Sequence, residues 1–434
     1  MMIILTEKEV HGLRGSLRKL RQGSLTALVL ILTITATCAG AKVLTLQVDN
    51  RALFTAWTKG VIERFEKEYP DLKVDLWVPT GNLLEQITVR IAAGMPFDIG
   101  LHDPYAILDF ARQGILEDLS PYVRRDAAHF ENWYPPALEM TRFRGALYSL
   151  PRDLQFYGVY YNVDAYAEVG LARPETDWTY DRLVSDSKRL VKQDADGNTL
   201  RFGFMLPRWR SWVIPVWAFG GDFVDSWTDP TRFTGYDENT QRGLNFLREF
   251  AETGAMTRTN QPVSELNAFA QQRIAIGMSN TIDMDTYRTI ADFTWDVAAM
   301  PIGPDGRRTT VINALGWFML STSPHKEEAW KLMIYLTSEE SFHELIKTVG
   351  VIPPERRLAM NVWVPYRDRP DHRHLFLTDA DLSIPYIGAL PKAVYDPIER
   401  EGHALVFGQK APSVALEHME QSVMAAIASY KASE

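Results

Sequence analysis

The chain has 434 residues, with 55 acidic against 46 basic side chains and a formal net charge of −9. A surface of this sign repels nucleic acid and anionic lipid, so no partner with a phosphate backbone is expected. The length exceeds what one hydrophobic core usually serves, so two domains or lobes are expected.

The N-terminal segment differs in character from the rest of the chain. A basic stretch ends at Arg21, and the uncharged residues 22–41 follow, with a short apolar centre at residues 25–32. Small residues close the segment, and Ala39-Gly40-Ala41 offers a cleavage site of the A-x-A type. These are the parts of a secretory signal peptide, so residues 1–41 are predicted to be removed and the mature protein to be periplasmic.

Two alternatives stay open for this segment. At about 20 residues it could just span a bilayer as a permanent anchor, although four threonines interrupt it. Cys38, the only cysteine, could be lipidated after cleavage before it, but the preceding Thr35-Ala36-Thr37 is a poor lipoprotein signal. Cleavage after Ala41 would leave no cysteine, and therefore no disulfide or thiolate chemistry. It would also leave 41 basic and 53 acidic side chains, a net charge of −12.

Strands and helices are predicted to alternate along the start of the mature chain. The predicted elements there are a strand over residues 43–48, a helix over 52–69, a strand over 72–78, a helix over 83–93, a strand over 97–101 and a helix over 105–113. The helices are predicted from apolar residues at helical spacing and the strands from alternation or short buried runs. This order favours a mostly parallel sheet covered on both faces.

The middle of the chain is predicted to be richer in helices before strand character returns. The predicted elements are helices over residues 181–192, 238–253 and 264–272, strands over 273–278, 295–300 and 318–320, and helices over 326–336 and 413–430. No repeat, low-complexity run or flexible linker separates two halves. A chain with two lobes and no linker is expected to cross between its lobes more than once.

Enzyme and metal signatures are weak throughout the sequence. The motifs G-x-G-x-x-G, G-x-x-x-x-G-K-[ST], G-x-S-x-G and H-E-x-x-H are absent. Residues 194–198 are similar to a calcium loop, but the glycine comes two positions early, so a surface turn is favoured. His372 and His374 have no further ligand pattern around them. We expect no catalytic residue, cofactor or metal, although paired carboxylates for glycoside hydrolysis stay open among so many acids.

A series of short segments occurs in a fixed order along the chain. Its members are residues 94–99, 102–103, 111–119, 147–151, 159–164, 170–174, 177–179, 218–221, 269–278, 315–318, 329–331, 335–340 and 350–354. Each segment alone is weak, but their order and spacing together are specific. The series resembles the family 1 extracellular solute-binding proteins, the carbohydrate receptors of ABC importers that include maltose-binding protein. The resemblance covers nearly all of residues 43–430.

The resemblance implies an α/β fold of two lobes, the type II periplasmic-binding-protein fold, with mixed, mostly parallel sheets covered by helices and a ligand cleft between the lobes. It implies the boundaries 42–153 and 300–350 for an N-terminal lobe, and 154–299 and 351–434 for a C-terminal lobe. Hinge crossings are then expected near Gln155, Met300 and Pro353.

The resemblance also implies a monomeric exported receptor that binds a mono- or oligosaccharide and delivers it to the permease subunits of an ABC importer. A sugar presents hydroxyls around apolar ring faces, so its site needs aromatic side chains and polar groups. A receptor for glycerol phosphate or another polyol phosphate is a second hypothesis, with Arg51, Arg152 and Arg210 as phosphate donors. An exported carbohydrate-active enzyme on a similar scaffold is the third.

Carried over residue by residue, the family's polar cleft positions fall at the ends of the first and third strands, beside the first crossing and after residues 274–278. The residues at these positions are Asp49, Asn50, Arg51, His102, Asp103, Asp153, Gln155 and Asn280. Open α/β sheets bind ligands at the carboxyl ends of their strands, which supports His102 and Asp103. Asn50 and Asp103 have the alternative role of capping the helices that follow them.

Candidate stacking residues come from the same matching. Trp209, Arg210, Trp212 and Trp217 cluster before Gly220-Gly221, where the family places a stacking aromatic. At least one of these tryptophans is expected to lie in the core instead.

Trp317 is the preferred stacking residue, and Tyr386 is a further candidate. Trp317 matches the Gly-Gly-Trp of the family apart from Leu315 in place of the first glycine, and a core position is its alternative. Many relatives carry a tryptophan after the strand that ends at Met278, whereas this chain has residues 279–283, Ser-Asn-Thr-Ile-Asp. The exchange of a platform for polar groups predicts a smaller or differently oriented ligand than maltose.

Overall fold

A computed structural model describes residues 41–95, 97–206, 212–257, 265–290, 292–366, 370–385 and 390–432. The predicted signal segment with Cys38 lies outside these residues, as do Trp209, Arg210 and Tyr386. Within the described part of the chain, no helix is both long and apolar enough to cross a bilayer.

The described residues form a mixed α/β structure. The strands are β1 (Lys42–Gln47), β2 (Leu72–Trp77), β3 (Ile99–His102), β4 (Arg142–Phe143), β5 (Ala146–Leu147), β6 (Leu150–Asn162), β7 (Lys192–Gln193), β8 (Thr199–Met205), β9 (Met256–Thr257), β10 (Ile274–Asn280), β11 (Trp295–Ala298), β12 (Val311–Met319) and β13 (Ile384–Pro385). The helices are α1 (Ala52–Glu68), α2 (Leu83–Ala92), α3 (Pro104–Arg112), α4 (Ser120–Arg125), α5 (Pro135–Glu139), α6 (Val163–Glu168), α7 (Tyr180–Leu190), α8 (Ile214–Ala218), α9 (Glu238–Glu252), α10 (Glu265–Ala270), α11 (Asp283–Ile290), α12 (Lys326–Leu336), α13 (Glu339–Val349), α14 (Arg356–Leu358), α15 (Lys392–Val406) and α16 (Pro412–Ala432).

The helix boundaries follow ordinary capping chemistry. Asn82 begins α2 by accepting a hydrogen bond from Glu85 N, and Ser338 begins α13 in the same way. Gly350 ends α13 in the left-handed conformation, which costs a glycine little. In α1 the buried face includes Phe54, whereas the neighbouring Leu53 is exposed, a shift of one residue from the apolar face predicted for this helix.

The main sheet has the strand order β2-β1-β3-β12-β6-β10-β8-β7. β1 pairs in parallel with β2 and β3, as predicted for the start of the chain. The sheet turns mixed at β12, which runs antiparallel to both β3 and β6. The expected α/β class, with mixed sheets covered by helices, is therefore confirmed, but parallel pairing does not dominate beyond β3.

Two regions surround the two halves of this sheet. Residues 41–149 and 313–350 surround β1, β3 and β12, and are called here the N-terminal lobe. Residues 163–300 and 390–432 surround β8 and β10, and are called here the C-terminal lobe. Each lobe contributes most of one large hydrophobic core, in which buried aromatic and aliphatic side chains pack together. The boundaries predicted from the sequence stay predictions.

β6 links the two lobes, and all of its residues are buried. Its first half, through Phe156, pairs with β12, and its second half, from Tyr157, pairs with β10 and β11. The change of partner lies beside Gln155, where the first crossing was predicted. Thirteen residues of strand span about 40 Å, so one strand reaches from one lobe into the other.

The chain returns twice beside β6. Met300 packs in the core of the C-terminal lobe, so the second crossing comes at the start of β12, near Val311, rather than at Met300. The third passage is at Ile352, whose carbonyl accepts a 2.7 Å hydrogen bond from Leu154 N, next to the predicted Pro353. Beyond it, the turn over Arg373–Leu377 packs on β6 and β11.

Gly203 in β8 provides a test of how closely the C-terminal lobe is packed. A Cβ at this position would lie 2.0 Å from the backbone oxygen of Ser187 in α7, a contact that only backbone movement can relieve. We expect Gly203→Ala to lower the free energy of unfolding by about 1–3 kcal/mol or more, measured by urea denaturation.

The matched control is Gly60→Ala in α1, where a Cβ meets only the end of Arg64 at 3.9 Å. This exchange is expected to stabilise the protein by about 0.5–1 kcal/mol, because alanine loses less backbone entropy in a helix. Equal effects of the two exchanges would contradict the packing argument.

Candidate binding site

The carboxyl ends of β1 and β3 meet the start of β6 at one edge of the N-terminal lobe. Gly316 of β12 pairs with His102 on one side and with Pro151 on the other, which aligns β3 with β6. Asp49 follows β1, the neighbour of β3 on its other side. Asp49, His102 and Asp153 are therefore brought to the same edge, where open α/β sheets bind ligands.

Arg152 connects two of the predicted site residues. Its side chain is 1% exposed, and its Nε donates to Asp153 Oδ1 at 2.7 Å while its Nη1 donates to Asp49 Oδ2 at 2.9 Å. Arg51 also donates to Asp49 Oδ2, from Nε at 3.1 Å and from Nη2 at 2.5 Å. Both guanidinium groups lie over the ring of Phe54, at 4.2 Å for Arg51 and 3.7 Å for Arg152. Two cations and two carboxylates thus form one compact cluster of zero net charge.

The cluster perturbs the ionisation of its members. Burial alone would raise the pKa of Asp49, but the hydrogen bond from Arg51 and the charges of Arg152 and Arg51 hold that pKa below its usual range. Burial would lower the pKa of Arg51, but the hydrogen bond to Asp49 and the charges of Asp153, Asp49 and Asp103 raise it. Asp49 is therefore a permanent carboxylate at neutral pH.

Several buried polar atoms at this edge have no hydrogen-bond partner among the described residues. They are Arg152 Nη2, Asp153 Oδ2, His102 Nε2 and Gln47 Nε2. Buried polar atoms in folded proteins are almost always paired, so an unpaired group indicates a missing partner such as water or a ligand. Donors and an acceptor lie here together, and the neighbouring Arg51 and Asp103 side chains are about two-fifths exposed.

His102 is a neutral hydrogen-bond donor in this arrangement. Its Nδ1 accepts a 2.8 Å hydrogen bond from Asp103 N, so the proton of the neutral ring is on Nε2. Burial lowers the pKa of His102 to about 4. The ring therefore stays uncharged at neutral pH and directs one N–H away from the strand.

A second polar group lies where β6 changes partner. Gln155 Oε1 accepts a 3.3 Å hydrogen bond from Asn313 Nδ2 of β12. Asn280 ends β10 opposite Tyr157, and Thr281 N donates to Phe156 O at 3.1 Å. Asn280 and Gln155 therefore lie close to the crossing, as the sequence predicted for cleft residues.

The capping alternatives are not realised. Asn50 is exposed, and Arg51 rather than Asn50 occupies the N-cap position of α1. Asp103 occupies the N-cap position of α3 but makes no side-chain cap hydrogen bond there. Asp103 therefore contributes its charge to the cluster around Arg51 rather than satisfying the backbone of α3.

The prediction that Trp317 stacks on a ligand is wrong for this structure. Trp317 has no exposed surface, and its ring stacks on Trp57 of α1 with centroids 6.5 Å apart. Its neighbours Phe318 and Met319 are equally buried, because both faces of β12 are covered here. The alternative of a core position is the correct one.

Trp212 is a core residue as well. It is fully buried and packs against His403 and Phe223, and a Cβ on Gly402 would lie 2.1 Å from its ring. The prediction of a stacking role for Trp212 is therefore corrected, whereas Trp209, Arg210 and Tyr386 stay predictions because they lie outside the described residues.

Two further segments have structural roles. Asp194 Oδ1 accepts hydrogen bonds from Asp196 N at 3.0 Å and Asn198 N at 2.8 Å, which makes residues 194–198 the expected surface turn. The ring of His372 contacts Asp296 Oδ2 at 2.5 Å and thereby ties the segment after the third passage to β11.

Sequence reasoning missed the central position of Arg152. It considered this residue only as a donor to phosphate, because nothing in the sequence shows that Asp49, about a hundred residues earlier, lies beside it. An arginine next to Asp153 in a strand predicted to be buried was the available signal, since a buried cation requires partners. Phe54 and Asn313 carried no comparable signal.

Comparison with known proteins adds to this geometry. Residues 49–341, more than half of the chain, match the family described as bacterial extracellular solute-binding protein. The sequence is 23% identical over 391 residues to a putative binding protein of Brucella abortus, which covers 88% of this chain and 89% of that protein.

Solved structures share the fold. A cyclic alpha-maltosyl-1,6-maltose binding protein from Arthrobacter globiformis is 16% identical, with a TM-score of 0.76 over 89% of this chain and 99% of that one. An ABC substrate-binding protein from Listeria monocytogenes in complex with cycloalternan is 19% identical, with a TM-score of 0.72 over the same two shares. These neighbours have the two-lobe type II fold, which confirms the predicted fold class.

Trp317 now leads to a stability prediction. Trp317→Ala is expected to lower the free energy of unfolding by about 3–5 kcal/mol, because it leaves a cavity beside Trp57. Urea denaturation followed by far-UV circular dichroism measures the effect. A variant with unchanged stability and weakened solute binding would restore the stacking role.

His102 leads to a pH prediction. Its pKa is about 4 in the folded protein and about 6.5 in the unfolded chain, so only the unfolded chain gains this proton as the pH falls between those values. The contribution to stability is lost as the pH falls, by about 2 kcal/mol between pH 7.5 and 5. Urea denaturation of the wild type and His102→Asn at both pH values should show a difference that changes by this amount; parallel pH curves would contradict it.

Proposed function

This chain belongs to the bacterial extracellular solute-binding protein family, and on that premise we propose that it captures a neutral sugar in its interlobe cleft and delivers it to the permease of an ABC importer. The predicted signal segment supports export, and the family's extracellular character agrees with it. The sugar-related names of the structural neighbours support a carbohydrate as the class of ligand.

The unpaired atoms of Arg152 and Asp153 carry this proposal. Arg152 Nη2 is a donor and Asp153 Oδ2 an acceptor, while the remaining bonds of both side chains hold them in place. A sugar hydroxyl both donates and accepts, so neighbouring hydroxyls match a donor next to an acceptor. Because the ion pair fixes the two side chains before binding, little conformational entropy is lost when a sugar binds.

The charges disfavour the polyol phosphate hypothesis. Arg51 and Arg152, its proposed donors, already bind Asp49 and Asp153, and Asp103 adds another carboxylate near Arg51. A phosphate would have to approach these carboxylates. Two like charges 4 Å apart repel by about 4 kcal/mol at an effective dielectric constant of about 20. A neutral polyhydroxyl ligand avoids this repulsion.

The same cluster favours binding over glycoside hydrolysis. A glycosidase needs one carboxyl group with a raised pKa to protonate the leaving oxygen. Asp49 has a lowered pKa instead, and both Asp49 and Asp153 are held by Arg152. These two carboxylates therefore suit the acceptance of hydroxyl hydrogen bonds.

A ligand screen tests the proposal. The exported protein is titrated calorimetrically with mono- and oligosaccharides, polyols and their phosphates, after a thermal-shift survey. We expect binding of a neutral sugar, and an at least tenfold weaker Kd for Asp153→Asn, because a hydrogen bond to a charged group contributes about 1.5–3 kcal/mol. Asp194→Asn, in the surface turn, is the control and should bind as the wild type does.

Two outcomes would contradict the proposal. Binding of phosphorylated ligands alone would favour the polyol phosphate receptor, and release of a product from any bound sugar would favour the enzyme. An unchanged Kd for Asp153→Asn would leave the sugar class intact but would exclude the cluster as its binding site.

A further inference from the structure

The two lobes touch at a second place, away from the crossing strands. Arg112, at the end of α3 in the N-terminal lobe, donates from Nη2 to the carbonyl of Thr228 in the C-terminal lobe at 2.5 Å. Its Nη1 donates to Asp109 at 2.9 Å, which orients the guanidinium group. The group lies 4.6 Å from the ring centroid of Tyr430 near the end of α16 and 5.2 Å from that of Phe143 in β4. The Arg112 side chain is 3% exposed, so these partners have replaced water around a charge.

Trp227 extends this contact with apolar surface. It belongs to the loop between α8 and α9 of the C-terminal lobe, yet it packs against the small core of Leu108 and Phe143 in the N-terminal lobe. Its own lobe holds it in place. Its Nε1 donates to Asp222 Oδ2 at 2.8 Å, and its ring meets Trp217 edge to face at 4.6 Å.

An ion pair lies beside these contacts. Arg144 of the turn between β4 and β5 lies 3.8 Å from Asp229 of the same C-terminal loop. We define the latch as the contacts that Arg112, Phe143 and Arg144 make with Trp227, Thr228, Asp229 and Tyr430. All of its members come from outside β6, β12 and the passage at Ile352.

We propose that the latch holds the two lobes together over the cleft and thereby sets the affinity of the site. The inference rests on the proposed function, since it concerns the regulation of the same cleft. It assigns a role in binding to residues that do not contact the ligand.

The mechanical argument depends on having two separate points of contact. The crossings at β6, β12 and Ile352 form one, and the latch forms the other. A rotation about the crossings therefore either separates the latch or compresses side chains that already touch. Separation is the only open direction, and it would expose the guanidinium of Arg112 and the apolar face of Trp227 together. The latch therefore opposes opening.

The affinity follows from the lobe equilibrium. A ligand held between two lobes binds fully only when both lobes are in place, so the apparent Kd is divided by the fraction of molecules in that arrangement. Loss of the latch lowers this fraction. The site itself, with Arg152 and Asp153, stays unchanged, so specificity is expected to stay the same while affinity falls.

The test uses two latch variants and a matched control. Arg112→Met keeps the apolar stem and removes the donors, and Tyr430→Leu removes one ring near the end of α16. Arg189→Met is the control, because Arg189 Nη2 donates to the Val169 carbonyl at 2.7 Å within the C-terminal lobe alone. Thermal unfolding monitored by circular dichroism confirms that each variant is folded.

Two measurements are made on each variant. Spin labels at Val89→Cys in the N-terminal lobe and Leu200→Cys in the C-terminal lobe, both exposed positions, report the interlobe distance without ligand. Calorimetric titration with the sugar found in the screen reports Kd. We expect longer and broader interlobe distances and a three- to tenfold higher Kd for both latch variants, with the control like the wild type.

The outcomes separate this proposal from the proposed function. Unchanged distance distributions in both latch variants would overturn the latch whether or not a sugar has been found, because that measurement needs no ligand. Tighter binding in the latch variants would also overturn it, since the contact would then oppose closure. Failure of the sugar screen with lengthened distances would keep the latch and reject the sugar assignment alone.

Discussion

The protein depends on one buried strand that belongs to both lobes. β6 is covered along its whole length, and each half satisfies its backbone hydrogen bonds with the strands of a different lobe. Because a one-residue slip would turn every side chain of a strand to the opposite face, these pairings fix the register of β6 in both lobes at once. The strand therefore determines where Arg152, Asp153 and Gln155 lie relative to the rest of the cleft.

Burial of charge on that strand explains the composition of the site. A guanidinium group that is almost entirely removed from water requires charged or hydrogen-bonding partners, and Asp49 and Asp153 supply them. Removal of either carboxylate would leave Arg152 with incomplete compensation. Mutual neutralisation also leaves the cluster without net charge, and its remaining unpaired atoms are suited to hydroxyl groups. Stability and ligand selection thus come from the same ion pairs.

Local patterns predicted much of the fold and the polar part of the site. The strands and helices up to α3 follow from periodicity and caps, and the matched positions Asp49, Asp103 and Asp153 do meet at one edge. Aromatic positions failed for a physical reason. A tryptophan in an apolar strand packs equally well in a core or against a sugar face, so sequence spacing alone could not distinguish the two roles for Trp317 and Trp212.

The sequence by itself determined the α/β class, the family and the residues that end the first and third strands, because these depend on local periodicity and on the order of short motifs. Tertiary structure alone decided that Arg152 bridges Asp49 and Asp153, that the second crossing begins at β12, and that Arg112 reaches Thr228 and Tyr430. Each of these joins residues far apart in the chain. Such contacts are set by how whole elements pack, which no local pattern of residues encodes.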